Sequence, residues 1–200
     1  MLLLSWPQKH ALDLEKHPPN QYFWYILSMT ILKYETPISQ FKLAPRPWVF
    51  LAGPTVRGNQ PHLTSWRREA EEFFLSQGFR GTLIVPEFKN KTTSDKGKEW
   101  IPLWEFCGLM ECDEILFWIP RTRELIGLTT NFEIGYWIAR ERHKITYGRP
   151  DDAFRMKYID LMWNHDATFF GGAGCSTEIF TTLSATCQHV LDKMGGATSD

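Results

Sequence analysis

The chain has 200 residues, 43% of them hydrophobic and 22% charged, with a formal net charge of −1. That length suits one domain with a full core, or one domain and a terminal extension. The near-neutral balance excludes the basic footprint of a protein that binds a nucleic acid polymer.

Residues 1–46 are irregular, with prolines at 7, 18, 19, 37 and 45, and read as an N-terminal arm carrying one strand, Thr30 to Thr36. Its leucines have no basic flank or sustained apolar core, so no signal peptide is expected. Tyr22 to Leu32 is about half of the ~20 apolar residues a membrane helix requires. Four cysteines, Cys107, Cys112, Cys175 and Cys187, form no CxxC pair and have no companion histidines at zinc spacing. They read as small core residues in a reducing compartment. The expectation is a soluble cytoplasmic protein with no membrane partner, no metal and no cofactor.

The regular part runs from 47 to 195. Trp48 to Ala52 is a buried-strand pattern stopped by Gly53-Pro54. Ser65 can cap a helix whose Trp66, Ala70, Phe73 and Phe74 share a face. Arg67-Arg68 and Arg140 to Lys144 read as solvated helix faces. Thr82 to Val85 is the next strand, followed by Phe88 to Gly97, which has the composition of a mobile surface loop of the lid kind. A helix from about Glu99 to Cys112, a strand from Glu114 to Ile119, a helix through Glu133 to about Arg142 and a strand from Lys144 to Tyr147 follow. Two more helices are expected over Asp152 to Trp163 and Thr177 to Lys193. Strands alternating with helices predict a mainly parallel sheet covered on both faces. The glycine-rich turn Gly171 to Gly174 follows no strand and lacks the phosphate-loop spacing, so it is assigned no phosphate role.

Leu128 to Trp137 reads Leu-Thr-Thr-Asn-Phe-Glu-Ile-Gly-Tyr-Trp, with a carboxylate in the expected opening turn of an apolar helix. Two readings stand for Glu133. Acids gather in first turns because the helix dipole favours them by about 0.3–1 kcal/mol. A carboxylate in a partly apolar cleft, held ionised by that dipole, also has the makings of a nucleophile. Among nine tryptophans and fourteen phenylalanines, most of them core, Trp104 and Trp118 lie beside the candidate segments. Flat aromatic walls suit the stacking of a base.

Leu51-Ala52-Gly53-Pro54-Thr55 and Thr129-Thr130-Asn131-Phe132-Glu133-Ile134-Gly135 resemble motifs of the nucleoside 2-deoxyribosyltransferase family, and more closely its bacterial deoxyribosyltransferase-like branch. Ser65 to Arg67, Pro86-Glu87, Trp104-Glu105 and Phe117 to Arg121 follow that branch in the same order across about 48–150. The resemblance implies a flavodoxin-like, three-layer α/β domain with a mainly parallel central sheet. It implies a double displacement in which a carboxylate attacks C1′ of a nucleoside, the base departs, and a second base takes the sugar. The family nucleophile falls on Glu133 and a second family carboxylate on Glu105. Substrate contacts are expected at Gly53, Pro54, Thr55, Trp104, Thr130 and Asn131, with Arg57 and Arg121 as phosphate or surface arginines. The pattern departs at Gly127, where the family carries an Asp, with Glu124 nearby but out of register. A downstream family Asn has only Asp160 near its spacing.

Independently of the family, cleavage of an N-glycosidic bond passes through an oxocarbenium-like state. One carboxylate must sit under C1′ while a second group handles the proton of the leaving base. Glu105 suits that second role, and as a mid-helix acid it also reads as simple surface charge; Asp113 reads as a structural turn residue. Three outcomes remain open: base exchange on a nucleoside or nucleotide, hydrolysis of the same bond, or a nucleotide-binding module without turnover. Homo-oligomer formation stays open as well.

Overall fold

The computed structural model describes residues 29–56, 60, 62–90, 98–169 and 177–196. Arg57, Cys175, the Gly171–Gly174 turn and most of the expected lid, 91–97, lie outside the described residues. Among those described, five strands form one parallel sheet: β1 (Thr30–Leu32), β2 (Trp48–Ala52), β3 (Thr82–Ile84), β4 (Glu114–Trp118) and β5 (Ile145–Gly148), in the order β1-β3-β2-β4-β5. Helices α1 (Trp66–Ser76), α2 (Ile101–Glu111), α3 (Leu128–Glu141), α4 (Lys157–Phe169) and α5 (Leu183–Gly196) cover both faces. The fold is a three-layer α/β arrangement of the flavodoxin-like kind.

Every residue of β2 and β4 is buried, as strands covered on both faces require. Their side chains alternate between two cores. Phe50, Ala52, Ile115 and Phe117 meet Trp104 of α2, Ile134 and Trp137 of α3 and Trp163 of α4. Val49, Leu51, Leu116 and Trp118 meet Trp66 and Phe74 of α1 and Cys187 and Val190 of α5. Tyr34 and Phe41, from the proline-rich segment before β2, belong to the first of these cores, so the end of the N-terminal arm is built into the domain.

Several expected bounds shift for identifiable reasons. The strand expected from Thr30 to Thr36 ends at Leu32, and a turn follows in which the Thr36 N–H donates to the Lys33 carbonyl at 2.8 Å. The helix expected from Asp152 begins only at Lys157. The N–H of Ala153 turns back to the Pro150 carbonyl, that of Phe154 donates to the Arg121 carbonyl, and Arg155 is left-handed at φ 55°. The helix expected from Thr177 begins at Leu183, because Phe180 pairs with the end of β5 through two backbone hydrogen bonds. Arg67 is not a solvated residue: it is 1% exposed. Arg142 is buried too, with its guanidinium 3.7 Å over the Trp163 ring.

From β2 the chain moves outward to β3, then crosses back over β2 to β4. The direction of winding reverses between β2 and β4, and sheets of this kind open a crevice at the carboxyl ends of such a pair. The two strand ends approach closely there. Gly53 has φ 149°, and a Cβ on it would lie 2.1 Å from the Trp118 carbonyl oxygen. Gly53→Ala should therefore lower stability by at least about 1–3 kcal/mol, the cost of a strained backbone position. A urea midpoint unchanged by the substitution would contradict this close approach.

Candidate active site

Two loops form the mouth of the crevice. The loop after β2 is held from inside by Arg67, whose Nε donates to the Leu51 carbonyl at 2.9 Å and Nη2 to the Gly53 carbonyl at 2.7 Å. Its Nη1 reaches the Pro54 carbonyl, Thr55 Oγ1 and Glu87 Oε1 at 3.3, 3.2 and 3.0 Å. The Trp66 indole adds a bond to the Pro54 carbonyl at 3.0 Å. The second loop leads into α3 through Gly127, which is left-handed at φ 60°. A Cβ there would lie 2.7 Å from Pro54 Cγ, so the mouth of α3 rests on the loop after β2. A side chain at 127 would collide with Pro54, and the left-handed backbone there suits glycine.

Glu133 of α3 and Glu105 of α2 lie within electrostatic reach of each other. Both are half-buried. Burial, and after it the charge of Glu105, raise the Glu133 carboxyl to about 7 against the opposing charge of Arg67. Burial also raises Glu105, against a hydrogen bond from Tyr34 and the charge of Arg67. No described cation forms an ion pair with either acid, and no described hydrogen-bond partner meets the Glu133 carboxylate. Two carboxylates in electrostatic reach cannot both ionise freely, so they titrate as a pair.

A raised carboxyl alone would prove little. Glu114, at the opposite end of β4, is also raised to about 7 by burial. It is fully engaged, however, accepting from Thr146 Oγ1 and Lys193 Nζ at 2.6 Å each, and serves to tether α5 to the sheet. Glu133 differs in lacking such partners.

The expectation that the helix dipole holds Glu133 ionised is corrected. α3 starts at Leu128 and its first turn holds no acid, so Glu133 sits one turn further in. The dipole effect fades within the first turn, and desolvation prevails. Trp104 is corrected as well. It is 1% exposed, packed edge-on against Tyr34 and Phe41 at 5.0 and 5.1 Å, with its indole N–H on the Thr36 carbonyl at 2.9 Å. It braces the site from below rather than offering a stacking face; Trp100, 42% exposed, and Phe88 lie at the rim around Tyr34.

The remaining expected residues divide. Gly53, Pro54 and Thr55 form the loop clamped by Arg67. Thr130 is buried in the first turn of α3. Arg121 is 5% exposed, donates to Asn131 Oδ1 at 2.5 Å and leaves its Nε without a partner. Its charge is not among those acting on Glu133 or Glu105. Asp160 is held by Arg149 at 2.8 Å and Tyr147 at 2.8 Å, and Glu124 is exposed beside His62 at 2.7 Å; neither joins the pair. Asp113 caps the turn before β4, accepting from the Trp48 N–H at 2.7 Å, as its turn position suggested. A separate groove of about 640 Å³ runs along α1 between Trp66, Trp118, Pro120 and Leu125, and it includes none of the proposed site residues.

Sequence reasoning missed Tyr34 and the hub role of Glu87. The Glu87 side chain accepts from Ser65 Oγ at 2.6 Å and from Arg67, while its carbonyl accepts from the Tyr34 N–H at 3.2 Å. The Pro-Glu motif was a signal for the second; nothing local marked the first.

The chain matches no family model and no curated protein. No group of three or more metal-ligating side chains gathers among the described residues, and none of the described helices is long and apolar enough to cross a membrane.

The raised Glu133 carboxyl has a consequence for stability. Between its ordinary 4.5 and about 7 the unfolded chain has lost the proton that the folded chain still holds. Stability contributed by this group therefore falls as pH rises through that window. Glu133→Gln should raise Tm by a few degrees at about pH 8 and change it little at about pH 4. An equal or lower Tm at the higher pH would show that the carboxylate is not desolvated.

Proposed function

We propose that the protein cleaves the N-glycosidic bond of a nucleoside or nucleotide, with Glu133 as nucleophile and Glu105 as the partner that handles the proton. The observation that carries this reading is a half-buried carboxylate with no described hydrogen-bond partner, raised to about 7 beside a second acid at the switch point of a parallel sheet. Near neutrality such a pair holds one proton between two oxygens sets, as an acid and a nucleophile require.

In the reactive arrangement Glu133 is ionised and Glu105 carries the proton. As the C1′–N bond breaks, its electron pair passes to the base nitrogen, which takes the proton from Glu105. A Glu133 oxygen bonds to C1′. The sugar ester of Glu133, the Glu105 carboxylate and a neutral free base result. Glu105 then serves as base toward the acceptor: a second base gives exchange, and water gives hydrolysis. The order of motifs across 48–150 supports base exchange on a 2′-deoxynucleoside. Gly127 in place of the family Asp supports a different hold on the sugar, which suits the hydrolytic reading.

Incubation with mixed nucleosides, nucleoside 5′-monophosphates and free bases, followed by chromatography, tests this directly. New base–sugar combinations or free sugar are expected, with kcat/KM falling as pH rises above about 7, where the pair loses the proton that Glu105 must donate. Glu133→Gln should reduce turnover by at least about 10³-fold, in the range seen when a nucleophile is removed, while the fold persists. Unchanged substrates under all conditions would favour the binding module, and near-native turnover by the variant would remove Glu133 from the chemistry.

A further inference from the structure

Tyr34 lies upstream of the region that resembles the deoxyribosyltransferase family, yet its hydroxyl donates to Glu105 Oε1. The phenol is fixed on several sides. Its backbone N–H is tied to the Glu87 carbonyl at 3.2 Å, Trp104 stands edge-on at 5.0 Å, and Phe88 leans on it at 4.8 Å. The ring is 8% exposed. Burial and the charge of Glu105 push the phenol above its ordinary range, so it donates a hydrogen bond and does not ionise.

A donor placed on one member of a carboxylate pair stabilises that member as the anion, and repulsion then leaves the proton on the other. We infer that Tyr34 is a positioning residue: locked onto Glu105, it fixes Glu105 as the ionised member of the resting pair and leaves Glu133 carrying the proton. The other charged groups facing the pair do not make this choice. Arg67 from α1 acts on both acids alike, and Glu87 beyond β3 is engaged by Ser65 and Arg67. Among the described groups acting on the pair, Tyr34 is the one that bonds Glu105 and not Glu133.

This inference rests on the proposed pairing of Glu105 and Glu133, and it deepens the proposed chemistry. When the leaving base takes a proton from Glu105, that carboxylate is left charged while C1′ is bonded to Glu133. The Tyr34 hydrogen bond stabilises this arrangement, in which Glu105 acts as base toward the acceptor. At rest the same bond keeps Glu133 protonated, so the nucleophile is released only when a bound ligand moves that proton to Glu105.

The test is ¹³C NMR titration of the glutamate carboxyls, assigned with Glu105→Gln and Glu133→Gln, in wild type and in Tyr34→Phe. The variant keeps the ring and loses only the donor. The Glu105 midpoint should rise by about one to two pH units, the size expected for one hydrogen bond to a charged acceptor. The Glu133 midpoint should fall at the same time, because its neighbour is then neutral over more of the range. In turnover, the ascending limb of kcat/KM, which follows the first proton loss of the pair, should move to higher pH. Should Tyr34→Phe fail to fold, site-specific 3-fluorotyrosine at 34 gives a stronger donor in the intact ring pocket, and the two midpoints should separate further. Unmoved midpoints, or midpoints that shift together in one direction, would overturn the role of Tyr34. Because the titration uses no substrate, an inactive wild type with exchanged midpoints would sink only the enzymatic reading. An active wild type with unmoved midpoints would sink only this one.

Discussion

Arg67 directs every nitrogen of a buried guanidinium at the end of β2, the loop after it and Glu87. A buried cation is tolerated when its N–H groups are satisfied, and the strong ones are those that meet charge or well-aligned carbonyls. The consequence spreads from there. The clamped loop gives Pro54 a fixed place, Pro54 meets the left-handed Gly127, and Gly127 sets where α3 begins. Through Glu87 the same guanidinium reaches the backbone of Tyr34, and through Tyr34 it reaches Glu105. Residues scattered from 34 to 133 are thus referred to one group.

The electrostatic outcome follows from how that guanidinium is oriented. Its donors face carbonyls and Glu87, leaving Glu105 and Glu133 with only its distant charge. Two acids are left near each other in a half-buried crevice with little compensation, and the pair resists full ionisation. Structural acids in this fold are handled otherwise. Glu114 is just as desolvated, yet Lys193 and Thr146 answer it, and Asp160 is gripped by Arg149. The contrast separates charges that hold the fold together from Glu133, which no described hydrogen-bond partner meets.

Much of the fold was legible because its signals are local. The apolar runs Trp48–Ala52 and Glu114–Trp118 ended by Pro or Gly, the Ser65 cap and the helical spacing of Trp66, Ala70 and Phe74 each specify an element without long-range information. The bounds missed at Asp152 and Thr177 were decided by backbone bonds to distant partners, Phe154 to Arg121 and Phe180 to the end of β5. At the site, Glu133 and Glu105 were visible as acids in apolar helices within an ordered set of motifs. Tyr34 was not, because its partner lies 71 residues away. Arg67 was misread for a related reason: beside Arg68 it looks like a solvated face, and only tertiary structure turns one arginine inward and the other, 72% exposed, to water.

Trapping the covalent intermediate examines the central claim most directly. A 2′-fluoro-arabino nucleoside withdraws electron density from C1′ and slows formation and breakdown of a glycosyl ester alike. After incubation and digestion, mass spectrometry should find the fluorosugar mass on the peptide bearing Glu133, and on no peptide of Glu133→Gln. Sugar released with inverted configuration, with Glu133 never modified, would contradict the account and leave Glu133 as a base that activates water.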